Sequence, residues 1–284
     1  SITPKAYLPQ EFPVNNITFS SKRDVALPSD KYAVTDKDNV FSSFKVHDID
    51  KMFMYNTQRL AYEFETSTHW RFSADLKTER IDPIGDFELL PVSPGATPLD
   101  KMRYTESTFG IRYAPDEKFI NTKQRRRTTN KDAWYIQLQH TLGYNGLLGG
   151  EYTYNYTELE WFRRTWLPMS WGKIDTRLRL GQQWSQVPWP LLPMPQANLS
   201  YIVAPQLFNM INNIEFLNDR FASLMFTWEM GGKIFNRIPL LRRLKWREIL
   251  EFKTLWGTLS DKNNPYLPEN QNSSRLSLDR KSVV

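Results

Sequence analysis

The 284 residues suffice for one large domain or two smaller ones, and the absence of cysteine excludes disulfides and thiolate metal sites. No run of about 18 apolar residues occurs, which argues against a transmembrane helix. Aromatic residues nevertheless reach 14% at a mean hydropathy of −0.56, a combination typical of outer-membrane barrels with a polar lumen and aromatic girdles. The net charge of +6 suits nucleic acid, acidic lipid or lipopolysaccharide equally well.

In chain order, the sequence predicts an irregular segment over residues 1–45, with one short strand near residues 16–21, and then a long series of strands. From about residue 57, apolar and polar residues alternate, and a period of two places successive side chains on opposite faces of a strand. The predicted strands cover residues 57–65, 70–77, 109–113, 134–139, 152–156, 172–184, 200–217, 220–231 and 246–256. No amphipathic helix is predicted, so the predicted class is all-β.

Residues 172–184 show the alternation most clearly. Ile174 and Leu180 begin and end a run of four residues on one face, while Asp175, Arg177 and Arg179 share the other face. Strands of this kind, with aromatic ends and one charged side, are typical of a soluble antiparallel protein or of an outer-membrane barrel. We predict an antiparallel transmembrane β-barrel of outer-membrane type, complete or partial.

The loops give a check on barrel topology, because bacterial outer-membrane barrels keep periplasmic turns short and external loops long. The short turns 66–68 and 218–219 are predicted to be periplasmic. Strand parity then makes four loops external, at residues 82–103, 143–149, 185–199 and 232–245. The long basic loop 115–131 falls on the periplasmic side and does not fit this rule.

Motifs that carry chemistry are sparse. His140, in a predicted strand, raises the hypothesis of a membrane-embedded lipid hydrolase, but Leu142 stands where the serine nucleophile would be expected. His47, Asp48 and Asp50 offer metal ligands, yet nothing nearby completes a coordination shell. No P-loop, dinucleotide fingerprint or His-Glu-x-x-His pattern occurs. We therefore predict no catalytic residue, no metal and no cofactor.

Two sets of residues are candidates for binding. The predicted lumen charges are Asp175, Arg177, Arg179, Glu251 and Lys253. The predicted residues of external loops are Trp189, Arg242, Arg243 and Lys245. Basic residues beside aromatic ones suit a membrane interface, where long cationic side chains reach the polar layer. The predicted partners are outer-membrane lipid and lipopolysaccharide, with other outer-membrane proteins as further candidates and no nucleic acid.

Several segments, taken in order, resemble a known family. They lie at residues 109–119, 143–152, 188–192, 208–212, 215–221, 236–248 and 255–265. The most distinctive is Asn-Arg-Ile-Pro-Leu-Leu-Arg-Arg-Leu-Lys-Trp-Arg-Glu at 236–248. Together they resemble the Bacteroidota outer-membrane family in which a carboxypeptidase-regulatory-like β-sandwich precedes a barrel domain of unknown function. The resemblance extends over roughly residues 12–268.

The resemblance implies an outer-membrane location and a barrel, but it carries no catalytic residues over to this chain. It also implies that the chain is an internal piece of the barrel, because family members carry the sandwich and first barrel strands upstream and further strands downstream. The predicted organisation is an irregular segment over 1–45, a barrel region over 46–268 and a polar tail over 269–284.

The leading functional prediction is a non-enzymatic outer-membrane barrel that serves as a conduit or scaffold for transport or assembly. The alternative is a soluble all-β carbohydrate-binding module that would present Trp189 or Trp171 on an exposed platform. A lipid hydrolase using His140 is the third hypothesis.

Overall fold

The computed structural model describes residues 5–7, 15–26, 51–85, 89, 99–121, 126–130, 132–197, 207–208, 211 and 216–263. Its strands are β1 (Lys5–Tyr7), β2 (Asn15–Ala26), β3 (Lys51–Glu65), β4 (Trp70–Gly85), β5 (Met102–Tyr113), β6 (Phe119–Asn121), β7 (Arg126–Thr128), β8 (Tyr135–Gly143), β9 (Tyr154–Trp166), β10 (Lys173–Gln183), β11 (Arg220–Glu229) and β12 (Ile249–Thr258). Short helical turns lie at Leu147–Gly149, Pro168–Ser170, Trp189–Leu191, Phe235–Arg237, Pro239–Arg242 and Asp261–Asn263. Within these ranges, no helix has the length and apolar character needed to cross a membrane.

Ten of the strands form one antiparallel sheet, in the order β1-β2-β3-β4-β5-β8-β9-β10-β11-β12. β6 and β7 form a separate hairpin within the connection from β5 to β8. Among the described residues no pairing joins β1 to β12, so the sheet is open there. The predicted all-β antiparallel class is confirmed. The N-terminal strand predicted near 16–21 is longer than expected, because β2 pairs with β3 over its whole length.

Apolar side chains form a continuous row across eight strands. Each member lies directly opposite the next: Phe64, Phe72, Ile111, Leu138, Leu159, Leu180, Ala222 and Trp256. The sheet face that carries this row, here called the apolar face, is exposed, with Leu138 at 45% and Trp256 at 49%. A one-residue slip of any strand would move its apolar set to the other face, so this alternation specifies the register.

The opposite face, here called the polar face, carries charged and hydrogen-bonding side chains. Its adjacent cross-strand row consists of Glu65, Arg71, Arg112, Gln137, Glu160, Arg179, Ser223 and Leu255. These side chains are sheltered, and Glu160 and Arg179 are 17% and 19% exposed. A soluble sheet shows the reverse distribution, with apolar residues inside and charges in water.

The connection between β3 and β4 is the tight turn that the sequence predicts. The N–H of Thr66 donates to the carbonyl oxygen of Trp70 at 2.8 Å, and the hydroxyls of Thr66 and Thr68 lie 2.9 Å apart. His69 adopts a φ of 67°, which closes the turn in the left-handed region. The predicted hairpin is therefore confirmed. We call this end of the sheet the hairpin end.

Most of the predicted strand over residues 200–217 lies outside the described residues, and its described residues belong to no strand of the sheet. β10 pairs directly with β11 along ten residue pairs, so no strand separates them. The residues 218–219, predicted as a hairpin turn, instead lead from the long connection 184–219 into β11. Because β11 is the next strand after β10, the chain crosses the sheet once fewer than predicted before residue 230. The connection 230–248 therefore lies at the hairpin end, as do the connections 66–69 and 114–134. The prediction that 232–245 and 66–68 lie at opposite ends is wrong.

The main hydrophobic core lies against the polar face, at the end opposite the hairpin end. It joins Phe53 of β3, Ile81 of β4 and Tyr104 of β5 to Trp189 and Leu192 of the connection between β10 and β11. β3 and β10 are five positions apart in the sheet order, and the sheet curves so that one connection reaches both. The segment 187–197, here called the covering segment, thus packs over the polar face.

Candidate functional site

The polar face carries a ladder of ion pairs between neighbouring strands. Arg164 donates two hydrogen bonds of 2.6 Å to the Asp175 carboxylate, from Nε and Nη2. Arg177 Nη1 lies 2.6 Å from Glu160 Oε1, and Arg179 Nη2 lies 2.6 Å from Glu158 Oε1. Paired charges of this kind can be sheltered from water because each side chain satisfies its partner.

The other two predicted lumen charges, Glu251 and Lys253, lie on β12. Lys253 Nζ is 2.9 Å from Glu251 Oε2 and donates to the carbonyl oxygen of Leu207 at 3.0 Å. The Lys253 side chain is only 4% exposed. All five predicted lumen charges therefore lie on the polar face, and each has an ionic partner.

A cavity of about 240 Å³ opens on this face beneath the covering segment. Its sheet wall comes from seven adjacent strands, from Lys77 of β4 to Leu255 of β12. In a flat sheet the outer two of these strands would stand about 29 Å apart, at about 4.8 Å per interval. A cavity this small can touch all seven only because the sheet curls around it. The covering segment supplies the remaining wall, including Met194 and Gln196.

Two hydrogen bonds join the backbone of the covering segment to residues outside it. The N–H of Val187 donates to Asn263 Oδ1 at 3.0 Å, and the N–H of Asn218 donates to the carbonyl oxygen of Pro193 at 3.2 Å. Trp189, predicted to project from an external loop, is 5% exposed and belongs to the main core. The prediction of an exposed Trp189 is wrong. At the end opposite the hairpin end, the polar face carries apolar side chains, and this proline-rich loop covers them. Trp171 is half-buried, and its ring lies 6.0 Å from that of Trp228.

The other predicted loop residues, Arg242, Arg243 and Lys245, are exposed in the connection 230–248 at the hairpin end. Glu248 anchors this connection, because its carboxylate accepts the backbone N–H of Phe235. Loss of solvation acts to raise the pKa of the Glu248 carboxyl, but backbone N–H groups, first that of Phe235, outweigh it and hold the pKa below its usual value.

Aromatic side chains surround the same end. Trp70 and Tyr113 have ring centroids 4.7 Å apart, and Tyr113 lies edge-on to Trp134 at 5.8 Å. Trp228 donates its indole N–H to the carbonyl oxygen of Trp171 at 2.9 Å. We call these five residues the aromatic belt. Exposed basic residues and a belt of Trp and Tyr thus both occur at the hairpin end.

His140 lies on the apolar face, opposite Phe109, and its Nδ1 is 2.8 Å from the hydroxyl oxygen of Thr157. The same Thr157 oxygen accepts the indole N–H of Trp184 at 2.9 Å. The hydrolase hypothesis remains a prediction. The candidate ligands His47, Asp48 and Asp50 lie outside the described residues. In the ranges that the structure describes, no group of three or more His, Asp or Glu side chains is placed to hold a metal ion.

Sequence reasoning missed Gln183 and Gln196, which both line the cavity. Gln183 ends β10, whereas Gln196 lies in the covering segment, and only the tertiary fold brings them together. A partial signal existed at Gly181, a glycine within a strand, since such a residue often marks a close approach of another group. A Cβ at Gly181 would lie 2.1 Å from the Phe221 ring and 2.8 Å from the Tyr156 hydroxyl.

Comparison with known proteins gives a family match but no activity. No curated protein matches the chain. A family model, described as the C-terminal domain of a family of unknown function, DUF5686, matches residues 38–267. Because that match spans most of the chain and eight of the ten strands of the sheet, the chain belongs to the DUF5686 C-terminal domain family.

Proposed function

We propose that this chain forms the membrane-embedded part of a bacterial outer-membrane protein, a β-barrel that acts as a non-enzymatic scaffold or conduit for transport or assembly. The apolar face would contact lipid, and the polar face would line the interior. Lipopolysaccharide and the other outer-membrane lipids would be its first partners.

The observation that carries this proposal is the exposed apolar row from Phe64 to Trp256. Monomeric soluble proteins rarely expose a contiguous apolar patch beyond a few hundred Å². Here one row crosses eight strands, and neighbouring apolar residues such as Phe109 at 50% and Leu250 at 47% extend it. Lipid is a solvent in which such a face is favourable and in which every strand edge must be paired.

The hairpin end supports an interfacial position. Trp and Tyr side chains are enriched at the boundary between lipid and water, and long cationic side chains reach the phosphate layer there. The aromatic belt and the exposed Arg242, Arg243 and Lys245 all lie at the hairpin end, so both signatures occur at the same end of the sheet.

The covering segment favours a scaffold or a gated conduit over an open pore. It packs Trp189 and Leu192 against the polar face and occupies space that an open lumen would leave to water. The paired charges beside it satisfy one another, so the interior is polar without a large field of one sign.

The test is membrane fractionation combined with heat-modifiability. The full chain, preceded by a secretion signal, is produced in a Gram-negative host, and its gel mobility is compared before and after boiling. We expect it in the outer membrane with a boiling-dependent shift, as closed barrels show. A soluble, monodisperse, folded monomer would contradict the proposal and would favour the soluble carbohydrate-binding module.

A further inference from the structure

The cavity under the covering segment contains two buried hydrogen-bond donors for which the described part of the chain supplies no acceptor. Gln183 is 2% exposed and Gln196 is 4% exposed, and the Nε2 atom of each lacks an acceptor among the residues that the structure describes. An unmet buried donor costs about 1–3 kcal/mol. Both amides line the same cavity from opposite walls, one on the sheet and one on the covering segment. A ligand with acceptor oxygens would satisfy both.

The charged groups of the cavity are already paired with each other. Lys77 Nζ lies 2.5 Å from Glu106 Oε1, and Arg179 donates to Glu158 at 2.6 Å. The lining therefore carries two positive and two negative charges in closed pairs. A charged ligand would have to break one of these pairs or remain unpaired, whereas a neutral ligand would need only the free amide donors.

The remaining wall is aromatic and aliphatic. Two glycines within strands let rings lie close to the sheet: a Cβ at Gly143 would lie 2.2 Å from Tyr154, and a Cβ at Gly181 would collide with Phe221. Tyr156 also lines the cavity and donates to Glu158 Oε2 at 2.7 Å. A sugar ring can pack its C–H faces against these flat aromatic surfaces and accept hydrogen bonds from the amide donors through its hydroxyl oxygens.

We propose that this cavity is a binding site for a neutral, hydroxyl-bearing molecule of monosaccharide size. Gln183 and Gln196 donate to ligand oxygens, and the rings of Tyr154, Tyr156 and Phe221 contact its apolar faces. The cavity volume of about 240 Å³ is below the roughly 300–1,000 Å³ of sites for drug-sized ligands, so the ligand is smaller than a drug-sized molecule. The site lies on the polar face, away from the apolar face that is proposed to contact lipid.

The test measures sugar binding to the purified, folded full chain by saturation-transfer NMR and by thermal shift. The probes are D-glucose, D-galactose, D-mannose and N-acetyl-D-glucosamine, with D-gluconate and D-glucosamine as charged comparators. We expect at least one neutral sugar to bind, and Gln183→Leu and Gln196→Leu to weaken its binding about tenfold each. Without sugar, both variants should be as stable as the parent or more stable, because each removes an unmet buried donor.

Gln137→Leu is the matched control, since Gln137 is half-buried on the same face but does not line the cavity. Its sugar affinity should be unchanged. The proposal is overturned if no neutral sugar binds, if both variants at Gln183 and Gln196 bind as the parent does, or if the charged comparators bind better. If Gln183→Leu does not fold, Gln196→Leu decides alone, because that residue lies outside the strands. Membrane fractionation is scored separately, so failure of the outer-membrane proposal is distinguishable from failure of this one.

Discussion

Two consecutive residues of β8 lie in opposite environments. Leu138 belongs to the apolar row and is 45% exposed, whereas Gln137 lies opposite Glu160 in the sheltered polar row. In water, the apolar side chain would be expected inside and the polar one outside. The exposed face of this sheet is thus apolar and its sheltered face is polar, the reverse of a soluble sheet, and this reversal is the physical basis of the outer-membrane proposal.

The largest effect is expected when a charge is placed on each face of the sheet in turn. In lipid, Leu138→Arg should destabilise the folded chain by about 2–4 kcal/mol, because the guanidinium would be transferred into hydrocarbon. Urea titration of chain folded into vesicles measures this. Gln137→Arg, one residue away and opposite Glu160, is the control and should change stability far less. If Leu138→Arg folds as well as the control, the apolar face does not contact lipid.

A smaller loss of stability is expected when one ion pair of the ladder, Glu158–Arg179, is broken. Glu158→Leu leaves the Arg179 guanidinium without its carboxylate in a sheltered position, which should cost about 2 kcal/mol. The double variant Glu158→Leu/Arg179→Leu should recover most of that stability, because no uncompensated charge remains. Additive losses in a double-mutant cycle would contradict a functional pairing of these two side chains.

The aromatic belt should contribute less than either face. Trp70→Leu retains an apolar side chain but removes the ring pair with Tyr113, and we expect a loss of about 1 kcal/mol. Phe109→Leu, in the middle of the apolar face, serves as the control for loss of a ring alone. Equal losses at both positions, measured in the same vesicles, would argue against a special role for the belt.

The smallest effect concerns the anchor of the basic connection. The pKa of Glu248 is lowered from its usual value of 4.5, so its stabilising contribution is complete above that value and is lost as pH falls through the lower pKa of the folded state. Hydrogen exchange at Phe235 should therefore quicken at acidic pH relative to other connections. In Glu248→Gln, exchange should be faster at neutral pH and should lose this pH dependence. A variant that keeps the parental pH profile would rule Glu248 out as the anchor.

The alternation over 174–180 was sufficient to predict two unlike faces, because the period of side chains along a strand is fixed by the backbone. The hairpin at 66–68 was equally predictable, since a short polar turn between two alternating runs has few other conformations. Strand partners were not predictable in the same way. The run 200–217 was predicted as a strand, but the direct pairing of β10 with β11 depends on distant contacts.

The candidate site shows the same limit. The five predicted lumen charges lie on the polar face because alternation assigns a face to each residue. Trp189 was expected to be exposed because proline-rich loops usually run over surfaces. Its burial depends on Phe53 and Ile81, which lie far away in the sequence. Gln183 and Gln196 carry no local signal, since a missing hydrogen-bond partner is a property of the assembled cavity alone.

The most direct test of the reversed faces uses the absence of cysteine, which allows single-site labelling without background. Leu138→Cys and Gln139→Cys, adjacent on β8, each receive a nitroxide label in chain folded into vesicles, and spin relaxation by oxygen is compared with relaxation by a water-soluble nickel chelate. We predict that the label at 138 is relaxed mainly by oxygen, which concentrates in lipid, and that the label at 139 is shielded from oxygen in the bilayer. Strong and equal relaxation by the nickel chelate at both positions would contradict the reversed faces, because both faces would then contact water.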